Sequence, residues 1–149
     1  MESTLTASEV CAAAKCPPSS LRAWQNRNGL FPHLAKDGGW RRYTLSDAIG
    51  IRLVVLLTER GFAAQEVVNL VNAMRPNLEM AAQGYAPFVG IGRSEDSGSL
   101  EFRELKWTGK VLDDLGWFKD PVVISVDLGR ITNEVVFLIG EMRDGGDAE

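Results

Sequence analysis

The strongest constraint on the fold is the way helix-starting and helix-ending signals divide the first 60 residues into short pieces. Two motifs, Thr6-Ala-Ser-Glu9 and Thr44-Leu-Ser-Asp47, have the pattern of a capping box, in which a side-chain oxygen and a carboxylate satisfy free N–H groups at a helix start. Pro17 and Pro18 interrupt the chain between them, and Gly61 follows the second apolar stretch. These residues end helices, so one long helix is excluded and several short helices are predicted.

Apolar residues recur at helical spacing between these signals. The pattern predicts helices at about residues 7–14, 19–29, 45–60 and 63–75, the last ending before Pro76. Between the second and third helix, Asp37-Gly38-Gly39 is a tight-turn signal, and Trp40-Arg-Arg-Tyr43 has the pattern of the returning strand. A β-hairpin over about residues 34–43, which we call the wing, is therefore expected. Together these elements should share one small core.

The second half of the chain has a weaker pattern. Residues 78–83 fit either a helix or a loop, and residues 84–99 are rich in glycine and polar turn residues. Strands are predicted at about 88–91, 100–107 and 121–126, with a helical turn or loop at 110–118. A last helix is favoured at about 128–140, although residues 135–139 could instead be a strand. The polar tail from about residue 144 is expected to be disordered.

Charge is distributed unevenly along the chain. The formal net charge is −4, but residues 1–75 carry nine basic and six acidic side chains, whereas residues 76–149 carry seven basic and fourteen acidic ones. Phosphate binding depends on Lys and Arg. Only the N-terminal half therefore has a composition suited to nucleic acid, and the acidic half is expected to serve another purpose.

The order helix, proline turn, helix, glycine turn with two arginines, helix, helix resembles the MerR-like winged helix-turn-helix family. The resemblance covers about residues 4–75. It implies a winged helix-turn-helix that binds DNA in residues 1–75. From their own pattern and charge, residues 76–149 are expected to form a small acidic α/β region for dimerisation or effector binding, so that the whole fold is mainly α with a small β content. The motifs that carry the resemblance are Leu5-Thr-Ala-Ser-Glu-Val10, Pro18-Ser-Ser-Leu-Arg-Ala-Trp24, Arg27-Asn-Gly-Leu30, Gly38-Gly-Trp-Arg-Arg-Tyr43, Ser46-Asp47 and Gly61-Phe62.

In such a domain the second helix enters the major groove and presents its first turn to bases and phosphates. Arg41 and Arg42 alternate along a strand, so one should face phosphate while the other packs or pairs with an acid. Trp24 and Tyr43 are left open between a DNA contact and a place in the core. The predicted DNA-binding residues are Lys15, Ser19, Ser20, Arg22, Trp24, Arg27, Arg41, Arg42 and Tyr43.

Metal, cofactor and catalytic chemistry are not expected. The single histidine, His33, is expected to make a local hydrogen bond, and the two cysteines, Cys11 and Cys16, are expected to be free thiols. These three side chains do not make a credible metal set. Gly90-Ile-Gly92 is too short for a dinucleotide fingerprint, and no nucleophile–base signature occurs. We therefore predict a protein that is not an enzyme.

The leading hypothesis is a sequence-specific regulator of transcription that binds double-stranded DNA, of bacterial or prophage type. A homodimer is expected, although no long heptad pattern follows residue 75. No apolar run approaches the roughly 18 residues that span a bilayer and no leader pattern is visible, so a cytoplasmic, nucleoid-associated protein without membrane contact is expected. RNA polymerase and a small-molecule effector are further candidate partners. An excisionase-like factor that bends DNA, or an adaptor whose winged helix binds another protein, remain alternatives.

Overall fold

A computed structural model of the chain describes residues 4–34, 41–108, 111–113 and 115–147. The fold is mainly α with a small antiparallel sheet, as the sequence predicted. In chain order its elements are α1 (Ala7–Ala14), α2 (Pro18–Asn28), α3 (Leu45–Glu59), α4 (Ala64–Ala73), α5 (Arg75–Ala82), β1 (Phe88–Arg93), β2 (Leu100–Thr108), β3 (Val111–Asp113), a 3-10 turn (Leu115–Trp117), β4 (Ile124–Asp127) and α6 (Leu128–Asp147).

Both predicted capping boxes are present. At the start of α1, the Thr6 backbone N–H donates to Glu9 Oε1 at 2.9 Å, and the Glu9 N–H donates to Thr6 Oγ1 at 3.2 Å. At the start of α3, Thr44 and Asp47 exchange the same two bonds at 2.9 and 3.3 Å. Each box satisfies two N–H groups that the helix leaves unpaired, which explains why these two helices begin where the sequence predicted.

The end of α2 is held by α4. Gly29 ends the helix with φ 75°, and Phe31 also has a positive φ of 58°. The Asn72 side chain donates to the Gly29 carbonyl and accepts from the Phe31 N–H, both at 3.0 Å. The Asn72 side chain therefore satisfies one acceptor and one donor of this irregular turn, and it connects the end of α2 to α4.

The predicted hairpin lies largely outside the described residues, because residues 35–40 are not among them. In the described part, the returning strand expected over 40–43 is wrong: Arg41 and Arg42 are in no strand. Tyr43 instead forms an isolated antiparallel bridge with Leu5, with N–O distances of 2.7 and 2.9 Å. The segment after the wing is thus attached to the stretch of chain that precedes α1.

The strands form one antiparallel sheet in the order β3-β2-β1-β4. Val89 and Ile91 of β1 and Val126 of β4 are buried on the face that packs against the helices. The strand predicted over residues 121–126 is β4. It begins later than predicted, at Ile124, because pairing with β1 starts there, and the preceding Val122 is 70% exposed.

The opposite face of the sheet is covered by Phe118. Gly90 and Gly92 lie beneath its ring, and a Cβ added at Gly92 would lie only 2.9 Å from Phe118 Cδ1. Leu105 of β2, which is 2% exposed, completes this small cluster. The Gly-x-Gly spacing therefore makes room for an aromatic ring. Residues 111–113, expected in a turn or loop, pair with β2 as a short strand.

Residues 135–139, which the sequence left open between helix and strand, are helical and belong to α6. It also runs through Asp147, so the disordered tail predicted from about residue 144 is wrong for residues 144–147. These residues continue a helix whose buried positions, including Leu128, Ile131 and Val135, anchor its first half.

A separate helix, α5, covers residues 75–82. The sequence predicted that the fourth helix ends at about residue 75 and left residues 78–83 open between helix and loop. Pro76 lies in the first turn of α5, where a missing N–H is harmless.

One continuous core joins the two halves of the chain. It contains buried side chains of all the helices named above and of β1 and β4, and α6 packs against α1, α3 and α5. The boundary predicted between residues 75 and 76 falls in the first turn of α5, directly after Arg75, and it stays a prediction. Within the described part of the chain, no helix combines the length and apolarity needed to cross a bilayer.

Candidate nucleic-acid interface

A concave surface lies between α1, α2 and the segment that returns from the wing. Its volume is about 810 Å³, and we call it the interface groove. Three predicted cations come together there: Lys15 from the turn after α1, Arg22 from α2 and Arg41 from the returning segment. The polar residues that line it are Ser8, Lys15, Arg22, Gln25, Arg41 and Tyr43.

The cations at this surface are available to bind an anion. Lys15 and Arg22 are exposed, and so is Arg27 at the end of α2. Among the described residues, none of the three has a carboxylate within 4.0 Å. Some arginines elsewhere differ, since Arg93 binds Glu66 at 2.6 Å. The positive charge of Lys15 and Arg22 at the interface groove is therefore left without a carboxylate partner among the described residues, and such charge attracts polyanions.

In the first turn of α2, Pro18 has no N–H, and the Ser20 N–H donates to the Pro17 carbonyl at 3.0 Å. The N-cap of α2 is Pro17, which provides no side-chain cap, and Pro18 follows in the first turn. Ser19 is exposed and Ser20 is half-buried. Because no side chain caps this helix start, the Ser19 N–H and the positive end of the helix dipole are what it offers to a phosphate. Both serines lie at this end of α2, where the sequence predicts a DNA contact.

The structure distinguishes the two wing arginines. Arg41 is half-buried and lines the interface groove, whereas Arg42 is exposed and does not line it. The pKa of Glu9 is below its ordinary value, mainly because the Thr6 backbone N–H donates to it, with smaller contributions from the charges of Arg143 and Arg42. This arrangement favours Arg41 as the phosphate-facing residue.

Tyr43 is not at the surface. It is 1% exposed, and its hydroxyl donates to Gln25 Oε1 at 3.2 Å inside the protein. The prediction of Tyr43 as a DNA contact is therefore corrected: a buried hydroxyl needs an internal partner, and this one is supplied by α2. Trp24 is half-buried and packs against the core, so its main contact is also internal.

We predict that Tyr43→Phe destabilises the protein by about 1–2 kcal/mol, because Gln25, which is 6% exposed, loses a buried hydrogen-bond partner. Urea unfolding monitored by circular dichroism measures the change. Tyr85→Phe serves as a control, since that hydroxyl is exposed and bonds Glu104 at the surface. A larger loss of stability in the control than in Tyr43→Phe would contradict the role given to Tyr43.

Cys11 and Cys16 form part of the groove wall but are free, buried thiols, as expected. They sit at the end of α1, where the Cys16 N–H donates to the Cys11 carbonyl at 2.9 Å and Lys15 has a left-handed φ of 53°. This is the Schellman pattern that ends a helix with an apolar contact. Burial raises the pKa of Cys16 to about 12, so the thiols stay protonated and act as apolar side chains.

His33 makes the local hydrogen bond that was expected, with Nε2 3.2 Å from Oδ1 of Asp47, the residue that caps α3. Searching the described residues finds no group of three side chains able to hold a metal ion. The histidine belongs to the framework that joins the start of the wing to α3.

A family model described as MerR HTH family regulatory protein matches residues 5–74. Residues 5–74 form a MerR-type helix-turn-helix domain. This match confirms the resemblance seen in the sequence, and it supports assigning the N-terminal half to DNA binding and transcription regulation. No curated protein matches the chain.

Sequence reasoning missed the residues that position α2 within the MerR-type domain. Gln25 and Asn72 belong to this class, and so does Gln65, whose amide bonds both the side chain and the carbonyl of Asn28. Gln25 follows Leu21 by four residues, so its place on the buried face was a usable signal. Asn72 and Gln65 gave no such signal, since the α2 and turn residues that they bind lie 41 residues or more from Asn72 and 37 residues from Gln65.

Proposed function

We propose that the chain is a sequence-specific regulator of transcription of bacterial or prophage type, which binds double-stranded DNA as a homodimer in the cytoplasm. The observation that carries the proposal is the interface groove on a MerR-type domain, where Lys15, Arg22 and Arg41 converge and the first two have no carboxylate partner among the described residues. Cations presented beside an exposed helix start match the surface of a DNA backbone and groove.

Each element would make a different kind of contact. Arg22 projects from the second turn of α2, where a guanidinium can bind a guanine edge through two hydrogen bonds. Ser19 and Ser20 at the helix start, Lys15 and Arg41 would bind phosphates, which position the helix but carry no sequence information. Arg27, five residues after Arg22, lies on another side of the helix and suits a contact to the flanking backbone.

A homodimer follows from the small size of the reading element. A single α2 contacts only a few base pairs, and two copies related by a two-fold axis would read a palindrome with much higher specificity. The C-terminal sheet and α6 remain the proposed site of dimerisation, since they lie outside the part matched to the MerR family.

The decisive experiment is recovery and sequencing of genomic fragments bound by the purified full chain. A shared palindromic sequence is expected in the recovered fragments. Recovery without any common sequence would contradict sequence-specific binding and favour an architectural factor. Absence of any salt-dependent retention of DNA would contradict the proposal as a whole and favour the protein-binding adaptor.

We expect Arg41→Ala to weaken binding to every duplex and to reduce the slope of log affinity against log salt by about 1, because one phosphate contact is lost. Arg42→Ala is the matched control one residue away, and it should leave the slope nearly unchanged. Fluorescence anisotropy of a labelled duplex at several salt concentrations measures both slopes. A smaller slope for Arg42→Ala than for Arg41→Ala would reverse the assignment.

A further inference from the structure

The strand β4 is an edge of the sheet. It pairs with β1 on one side, and on the other side it pairs with no strand among the described residues. Ser125, in the middle of β4, is exposed. An open edge presents unpaired N–H and C=O groups that an added strand can satisfy.

This edge does not face open solvent, because a groove of about 310 Å³ lies beside it. All four residues of β4 line one wall of the groove, the last two turns of α3 line the other, and the start of α6 closes it. Leu53, Leu57 and Ile131 give it an apolar floor of buried side chains. We call this space the edge groove.

Arginines dominate the rim of the edge groove. Arg52 and Arg60 of α3 donate to main-chain carbonyls, of Ala14 at 3.4 Å and of Leu56 at 2.9 Å. Neither has a carboxylate within 4.0 Å among the described residues. Arg130 of α6 is 79% exposed and lies 3.8 Å from Glu134, a contact that solvent screens strongly.

Both carboxylates that line the edge groove already interact with Arg130. Asp127 Oδ1 accepts the backbone N–H of Arg130 at the start of α6, and Glu134 is shared with the Arg130 side chain. With three arginines against two carboxylates, the groove carries an excess of positive charge in a protein whose net charge is −4. An anionic partner is thus favoured at this place.

We propose that the edge groove binds an extended acidic segment of a partner protein, which adds a strand to β4. In such a segment acidic and apolar residues alternate, so that apolar side chains reach the floor while carboxylates meet Arg52, Arg60 and Arg130. A DNA backbone would use the arginines but neither the apolar floor nor the strand edge. A second copy of the chain is disfavoured, because α3 stands beside the edge and would collide with another folded sheet.

The test uses the full chain and a fluorescein-labelled peptide of alternating Glu and Val, about ten residues long. Anisotropy should show binding of this probe, and the same peptide with Lys in place of Glu should not bind. A version N-methylated at alternate residues should also lose affinity, since it cannot donate main-chain hydrogen bonds. Amide exchange followed by NMR should show new protection in β4 of the complex, at whichever of Ser125 and Val126 directs its N–H away from β1, because neighbouring residues of an antiparallel strand direct their N–H groups to opposite sides.

The double variant Arg60→Glu with Arg130→Glu should lower the affinity for the Glu-Val probe by at least about tenfold. Arg75→Glu is the matched control, because Arg75 is an exposed arginine on α5 that lies outside the groove. Equal losses in the two proteins, or no protection of β4 amides, would overturn the proposal. A third outcome would also overturn it. If a short DNA duplex binds the Arg22→Ala protein and displaces the probe from it, the edge groove binds DNA and not an acidic peptide.

This inference does not rest on the proposed reading of DNA by α2. Loss of operator binding in Arg22→Ala with unchanged probe binding would support both, whereas failure of the probe alone leaves the DNA-binding function intact. The test distinguishes the two sites, because neither Arg60 nor Arg130 of the edge groove lines the interface groove.

Discussion

Arg22→Ala should weaken binding to the operator by about 1–3 kcal/mol, roughly tenfold to a hundredfold, while affinity for unrelated duplexes falls much less. The reason is geometric: Arg22 is exposed on α2, lines the interface groove and has no carboxylate within 4.0 Å among the described residues. Its guanidinium is therefore free to read a base edge. Titration of operator and of an unrelated duplex by fluorescence anisotropy measures the two losses separately.

Two control variants separate base reading from charge and from folding. Arg22→Lys keeps the charge but loses the two-pronged geometry, so it should retain affinity for unrelated duplexes while specificity falls. Arg75→Ala removes an exposed arginine whose partner, Glu79, lies on the same helix, and it should bind normally. An equal loss for both duplexes in Arg22→Ala would show that Arg22 contacts only the backbone.

Phe118→Ala should destabilise the protein by about 3–5 kcal/mol. The ring is 6% exposed and lies directly over Gly90 and Gly92, so its removal leaves a cavity on the outer face of the sheet. The surrounding strands cannot close this cavity, because two of the facing residues have no side chain. Urea unfolding of the variant and the parent protein measures the difference.

Trp117→Ala is the matched control for that prediction. Trp117 is adjacent in the chain and 45% exposed, and its ring meets the edge of Phe118 and the guanidinium of Arg103. Losing these contacts should cost about 1–2 kcal/mol. If the exposed tryptophan proved as costly as Phe118, the outer cluster would be organised around Trp117 and our account of the two glycines would be wrong.

Much of the N-terminal half could be predicted from short motifs. The starts of α1 and α3 depend on capping boxes that act within four residues, and α2 begins with Pro18 and ends at Gly29. Such signals are local, so they can be read without knowing the fold. The same reasoning placed Arg22 and Ser19 on the exposed side of one helix, where the structure has them.

The second half was harder because its elements depend on pairing. The run beginning at Pro121 looks like a strand throughout, yet only residues from Ile124 onward find a partner in β1. Gly90-Ile-Gly92 had no interpretable role until Phe118, 26 residues or more away in the chain, was seen above it. Propensity describes what a segment can form, whereas tertiary contacts select what it does form.

The amino-acid sequence by itself determined where α1, α2 and α3 begin and end, to within about one residue, together with the separation of charge between the halves and the MerR-type order of elements, because these depend on neighbouring residues. Only the tertiary structure decided that Tyr43 is a core residue and that Arg41, rather than Arg42, lines the interface groove. These outcomes depend on contacts between distant segments, such as Tyr43 with Gln25, 18 residues apart, and Asn72 with Phe31, 41 residues apart. Contacts of that kind exist only after the chain has packed.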